Sequence, residues 1–290
     1  MKSGTIAFIG KPNVGKSTLF NQLLGEKISI TSKKAQTTRN NILGVLTQHN
    51  AQFVFVDTPG FQHYFKNALY KQMNQGIHHA LNDVDVIVFL VEAKKLNENE
   101  QALLQLLPKN KPVILTINKI DLLNNKNDLL PLMAHFQTLF DFAAIVPIAS
   151  RLKKESLPLL DAILPLLPNE GLLYEEETLT DKSARFLASE FIREKVFRQL
   201  GDELPYGTVV EIEKFEELPN LYRIFAAIVI EKQNHKAILI GKNGNKLKRI
   251  ASDARKDLEK LFQTKLYLEI FVKVKSGWAN DVHYLQNMQN

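Results

Sequence analysis

Residues 10–17 read Gly10-Lys11-Pro12-Asn13-Val14-Gly15-Lys16-Ser17. They satisfy G-x-x-x-x-G-K-[ST], a loop whose backbone N–H groups can cradle phosphates. Phosphates are bulky anions. Glycines let the backbone approach them, and the start of the following helix adds partial positive charge. Lys16 would reach the β- and γ-phosphates, and the Ser17 hydroxyl would bind Mg²⁺. Thr18, the next residue, is counted with the phosphate-binding set.

Two further strand ends carry matching chemistry. Asp57-Thr58-Pro59-Gly60 follows the apolar run FVFV. A carboxylate there can hold the Mg²⁺ shell, and the Gly60 N–H can meet a γ-phosphate. Asn118-Lys119-Ile120-Asp121 follows PVILTI. Guanine presents N1–H and N2–H₂ on one edge, and a single carboxylate, Asp121, can accept from both. Adenine would leave that carboxylate unpaired, at a cost of a few kcal/mol. Asn118 would contact the other purine edge, and the Lys119 stem would cover the base. Between the first two motifs, residues 31–41 (TSKKAQTTRNN) are polar. A threonine in such a loop that meets Mg²⁺ only with the γ-phosphate present would make a switch. Thr38 is the first candidate and Thr37 the second. The candidate catalytic residues read from these motifs are Lys16, Thr38 and Gly60; Asn13 joins them only through a family resemblance.

These residues need a frame that brings several strand ends together. Residues 5–10, 41–47, 53–57, 84–91, 112–118 and 143–148 read as strands, with a helix over 16–24 and helical stretches between the later runs. The run VDVIVFLV is apolar throughout, as in a strand buried on both faces. Strands alternating with helices imply an α/β fold with a mostly parallel sheet. After Pro165 the pattern changes. Residues 169–180 (NEGLLYEEETLT) are acidic without a periodic apolar face and read as a linker. A helix is expected over 181–200, strands over 208–215 and 222–231, helices over 236–240 and 246–262, and a last strand over 265–274. The expected domains are 1–168, the acidic linker 169–180, and 181–290.

Composition sets the outer limits. The 290-residue chain has no cysteine, which excludes disulfides and thiol catalysis. No signal peptide and no apolar run of membrane-spanning length stand out, so a cytoplasmic location with at most surface contact on a membrane is expected. The net charge of +6 is segregated: +5 over 1–170, −6 over 171–220 and +7 over 221–290. The basic C-terminal part either meets a polyanion or is a solvated face. Gly241-Lys242-Asn243-Gly244 lies there, between two expected helices, with Lys246, Lys248 and Arg249 following. A G-x-x-G loop in this setting can clamp a nucleic-acid backbone. The alternating Ile224, Ala226, Ile228 and Ile230 read as core rather than as a base platform. Trp278 could stack on a base or cap the domain. The histidines show no metal-ligand spacing.

The segments KPNVGKSTLFNQLLG, ISITSKKAQTTRN, VDTPGF and NKID, with FIREKVFRQLGDELPY and VKVKSGW, closely resemble the bacterial Era GTPase family over nearly the whole chain. The resemblance implies a Ras-like GTPase domain followed by an α+β type II KH domain. It implies binding of GTP and GDP with Mg²⁺, and binding near the 3′ end of 16S ribosomal RNA during 30S subunit assembly. Loose association with the inner membrane is a further implication, and a monomer is expected. Asn13 resembles the P-loop asparagine of GTPases that recruit K⁺; a loop-stabilising role is the alternative. Ras-like enzymes orient water with a glutamine where this chain has Phe61, so slow intrinsic turnover is expected. The family's Ser-Ala after the last strand is replaced by Ala149-Ser150, and Ser150 is taken as the purine contact. The other readings are an RNA-binding chaperone whose GTP hydrolysis is incidental, and a metabolic phosphotransferase, against which NKID argues.

Overall fold

The structure is a computed structural model that describes residues 1–32, 34, 37–48, 50–61, 68–152, 156–200, 207–281 and 284. Lys33, Ala35 and Gln36 of the candidate switch loop, and residues 201–206 of the Era-like segment, lie outside them. The chain divides into two units: Met1–Ser29, Thr38–Lys66 and Tyr70–Asp181 form the first, and Ile30–Thr37, Asn67–Leu69 and Lys182–Asn290 the second.

In the first unit β1 (Lys2–Gly10), α1 (Lys16–Leu24), β2 (Ile42–Gln48), β3 (Ala51–Asp57), α2 (Ala68–Asp83), β4 (Val86–Glu92), α3 (Glu98–Leu106), β5 (Val113–Asn118), α4 (Leu129–Gln137), β6 (Ala144–Pro147) and α5 (Leu157–Ile163) follow in order. The sheet order is β2-β3-β1-β4-β5-β6. Only β2 is antiparallel to its neighbour. The strands β1, β4 and β5 are apolar and buried on both faces, as internal parallel strands must be. On one face Ile9, Phe89 and Ile117 pack with Ile77, Leu81, Leu103 and Phe136 of the helices. Elsewhere in the core Phe8 stacks on Phe55 at 5.4 Å and meets Phe20 of α1 edge-on. Because β1, β3, β4 and β5 run the same way, Gly10, Asp57, Glu92 and Asn118 all end at one edge of the sheet. Chain connections diverge on either side of β1, which opens the crevice where such sheets bind ligands.

The acidic residues 169–180, expected as a linker, group with this unit. The Val45 N–H donates to the Leu179 carbonyl at 2.9 Å, and the Thr180 hydroxyl to Leu43. The Gln52 side chain bonds the backbone of Leu173 and Tyr174. The segment thus satisfies the open edge of β2, which would otherwise present unpaired backbone groups. The segment carries no apolar period because edge covering is done by backbone, not by side chains.

The second unit holds α6 (Ala184–Gln199), β7 (Thr208–Leu218), β8 (Leu221–Ile230), α7 (Asn234–Ile240), α8 (Asn245–Phe262) and β9 (Lys265–Val274). Its sheet order is β7-β8-β9, with β7 antiparallel and β9 parallel to β8. The parallel pair is joined by α7, the GKNG turn and α8. Ala226, Ile228 and Ile230 pack against Ile192, Val196, Leu239, Ile250 and Ala254, and Ile224 joins Phe191 and Leu258. All four alternating β8 residues are fully buried, so that face is core. Trp278 is also fully buried, with its ring 6.4 Å from Tyr284; it closes the unit and offers no face to a base.

Candidate functional site

The loop between β1 and α1 keeps a conformation that only its sequence permits. Asn13 is left-handed (φ 62°), and Gly15 (φ 111°) starts α1. A Cβ on Gly15 would lie 2.2 Å from Asn118 Nδ2, and one on Gly10 would lie 2.6 Å from the Leu90 carbonyl oxygen. The loop therefore wraps Lys16, whose ammonium donates to the carbonyls of Gly10 and Lys11 at 3.0 Å. Burial holds its pKa down at about 8, against the opposing pull of Asp57. Pro12 abuts Gly60: a Cβ there would sit 2.6 Å from the Pro12 nitrogen. Val14 is buried, and its carbonyl accepts from Asn118.

Ser17, Thr38 and Asp57 come together. The Ser17 and Thr38 hydroxyls are 2.9 Å apart, and the Thr38 hydroxyl donates to Asp57 Oδ2 at 3.4 Å. Asp57 is fully buried. Burial raises its pKa, while bonds from Ser29 and Ser17 and the charge of Lys16 oppose that rise. Its Oδ1 is buried without a hydrogen-bond partner among the described residues. Two hydroxyls and a carboxylate with a spare oxygen are hard donors of the kind Mg²⁺ takes. The Thr37 hydroxyl donates to the Lys34 carbonyl at 2.9 Å. Thr58 is used structurally, its hydroxyl donating to the Phe8 carbonyl at 2.6 Å. The Phe61 N–H donates to the Gly10 carbonyl, and its ring is buried in the core. No side chain at that position is available to orient water.

Asn118 is fully buried and makes four bonds. Nδ2 donates to the Val14 carbonyl (2.7 Å) and the Ser150 hydroxyl (3.0 Å); Oδ1 accepts from the N–H groups of Lys119 and Ser150. Ser150 was expected to present its N–H to the purine. That N–H is instead directed at Asn118, so in this structure Ser150 braces the asparagine. Lys119 is left-handed (φ 64°) and starts the short turn Ile120–Leu122, on which Asp121 is exposed. The Lys119 ammonium reaches the Asn13 carbonyl at 2.8 Å and the Glu92 carboxylate. Three residues here were not singled out from sequence: Ser29, whose hydroxyl donates to Asp57 at 2.6 Å, and Glu92 and Glu100, which bracket Lys11. Glu92 carried a readable signal, a charge at the carboxyl end of a buried strand. Glu100 sits in the capping box Asn97–Glu100.

In the second unit Gly241 (φ 71°), Asn243 (φ 52°) and Gly244 (φ 73°) turn the chain from α7 into α8, and α8 has no side-chain cap. Its first N–H groups are therefore open to an anion. Lys242, Asn243, Lys248 and Arg249 are exposed, and Lys246 is half-buried with its stem under Gly241. At about 100° per residue, Lys248 lies roughly 160° around α8 from Lys246. The loop thus gathers Lys242, Lys246 and Arg249 more closely than Lys248. Among the described residues no cluster of His, Asp and Glu could hold a metal ion, and no helix is long and apolar enough to cross a membrane.

Comparison with known proteins finds relatives for both units. Residues 5–119 match the sequence family described as 50S ribosome-binding GTPase, and residues 203–279 match the KH domain family. GTPase Era of Neisseria meningitidis serogroup A is 51% identical over 289 residues, spanning 99% of this chain and 94% of its own. GTPase Era of Nitrosomonas eutropha is 52% identical over 287 residues, spanning 99% and 97%. A crystal structure of Era in complex with MgGDPNP and nucleotides 1506–1542 of 16S ribosomal RNA superposes with a TM-score of 0.94 at 38% identity, covering 99% of this chain and 98% of that one. A single-substitution variant of Aquifex aeolicus Era bound to GDP.AlF4- superposes at 0.95 with the same identity and coverage. With Lys16, Thr38, Asp57 and Asn118 converging at the ends of parallel strands, and relatives this similar over almost the full chain, the protein belongs to the Era GTPase family.

Proposed function

We propose that this Era-family GTPase uses residues 1–168 to bind and hydrolyse GTP with Mg²⁺, and residues 181–290 to bind 16S ribosomal RNA near its 3′ end during 30S subunit assembly. The observation that carries the nucleotide half is the meeting of Ser17, Thr38 and Asp57 beside Lys16, with Asn118 bonded to the same loop. Lys16 would exchange its two backbone carbonyls for β- and γ-phosphate oxygens. Magnesium, when bound, would supply charge neutralisation on those oxygens. Ser17, Thr38 and Asp57 are the residues that would hold it. The Gly60 N–H would meet the γ-phosphate. Because Phe61 is in the core, the attacking water would be oriented by backbone groups near Thr38 and Gly60, which supports slow intrinsic turnover.

The exposed Asp121 would accept N1–H and N2–H₂ of guanine, with the Lys119 stem over the ring. Asn13 offers an amide oxygen for K⁺; replacing K⁺ by Na⁺ at constant ionic strength would then slow turnover. Residues 241–244, with Lys242, Lys246 and Arg249, would clamp the RNA backbone. Exchange of GDP for GTP would act through Thr38, making the protein a switch. A cytoplasmic monomer touching the inner membrane only at its surface belongs to the same reading. The decisive measurement is nucleotide preference: Asp121→Asn should lose its preference for GTP over ATP. Unchanged preference would refute the assignment.

A further inference from the structure

The carboxylate of Glu92 does no work in the chemistry above, yet it engages three lysines near the nucleotide loops. It pairs with Lys11 at 3.1 Å, with Lys94 at 2.5 Å and with Lys119. Lys11 is held a second time by Glu100 at 3.1 Å, and Glu100 is only 1% exposed. Glu100 also accepts the Asn97 N–H, so its own place is fixed by the start of α3. The Lys119 ammonium continues to the Asn13 carbonyl at 2.8 Å. One carboxylate at the end of β4 therefore ties two loops: the phosphate loop through Lys11 and Asn13, and the Asn118–Asp121 loop through Lys119.

Both Asn13 and Lys119 are non-glycine residues in the left-handed region. Such conformations persist only where the surroundings over-determine them. Here the Lys119–Asn13 bond joins the two strained residues to each other, and Glu92 neutralises the ammonium that makes the bond. A lysine stem is otherwise free to rotate, and ordering it on binding costs affinity. Without Glu92, Lys11 and Lys119 would also repel each other. Burial would raise the Glu92 pKa, but the bonds from Lys119, Lys94 and Lys11 outweigh it and hold it at about 2, so the brace is ionised at neutral pH.

We propose that Glu92 is a positioning residue for guanine-nucleotide binding, holding the Lys119 stem over the base and the phosphate loop in place before the nucleotide arrives. The inference rests on residues 118–121 being the base site. In the full-length protein, Glu92→Gln should weaken GDP and GTP by about tenfold each, mostly through faster dissociation, as expected when one or two lysines lose their preordering. KM should rise with kcat within about twofold. Lys119→Met should cost a similar factor, and the Glu92→Gln, Lys119→Met double variant should cost little more than either alone. Dissociation of fluorescent GDP, steady-state turnover and thermal unfolding read all of this. A Glu92→Gln protein that melts earlier but binds both nucleotides as tightly as the parent overturns the proposal, as does full additivity in the double variant. Should Glu92→Gln fail to fold, Lys11→Met removes one arm and should weaken both nucleotides several-fold; unchanged affinity there overturns it equally. Asp121→Asn separates the two readings. If it abolishes guanine preference while Glu92→Gln binds normally, only the Glu92 role fails. If it leaves preference intact, the base site itself is misplaced.

Discussion

Nucleotide binding should take up a proton at alkaline pH, and the site that accepts it is Lys16. Its ammonium donates to two carbonyls, and burial holds its pKa down at about 8. A triphosphate brings the charge it lacks and would restore the pKa to the ordinary lysine range or above. At pH 7 about nine-tenths of the free protein already carries this proton, so uptake on binding is about 0.1. At pH 9 only about one-tenth carries it, so uptake approaches 0.9 and affinity falls about tenfold relative to pH 7. Calorimetry in buffers of different ionisation enthalpy measures the uptake directly. Lys16→Arg is the control, because a guanidinium does not titrate in this range and its weaker binding should be flat with pH. Stability of the free protein should move the other way. The unfolded chain binds the extra proton between about pH 8 and the ordinary lysine value of 10.5, so the Lys16 contribution to stability rises with pH across that window. Equal GTP affinity at pH 7 and 9 without proton uptake would refute the argument from burial.

Other expectations follow from particular contacts. Gly60→Ala drives a methyl into the Pro12 backbone; the phosphate loop must shift, and turnover should fall by about tenfold or more with the fold intact, checked by single-turnover hydrolysis and circular dichroism. Ser29→Ala removes the largest of the bonds that oppose the rise in the Asp57 pKa. The acid limb of Mg²⁺-dependent turnover should therefore move to higher pH, and an unmoved limb would exclude Asp57 as its source. Asn118→Ala breaks four bonds, three of them buried, and should destabilise the protein by about 2–4 kcal/mol in urea unfolding, with guanine-nucleotide affinity lost as well. Gly241→Asp sets a carboxylate and a strained backbone (φ 71°) at the Gly241–Gly244 turn; if that turn clamps RNA as proposed, RNA binding should weaken at least about tenfold while GTP binding stays put.

The candidate nucleotide residues could be singled out in the chain itself, because they stand in short contiguous motifs. Phosphate loops, an aspartate ending a buried strand and the Asn118–Asp121 turn all concentrate their work in four to eight neighbouring residues, so spacing alone exposes them. Strand and helix limits were also readable, because the apolar runs are long: α1 and β9 fall where expected, and β4 ends one residue beyond its expected limit, at Glu92. What folding alone decided is who meets whom across long sequence separation. Nothing in the order of residues says that Ser29 joins Thr38 on Asp57, or that the Ser150 N–H goes to Asn118. Nor does it say that Glu92 would gather lysines from three places, or that an acidic stretch without an apolar period would cover the edge of β2. These contacts are set by strand register and by the need of buried polar groups for partners, and both exist only once distant segments are packed.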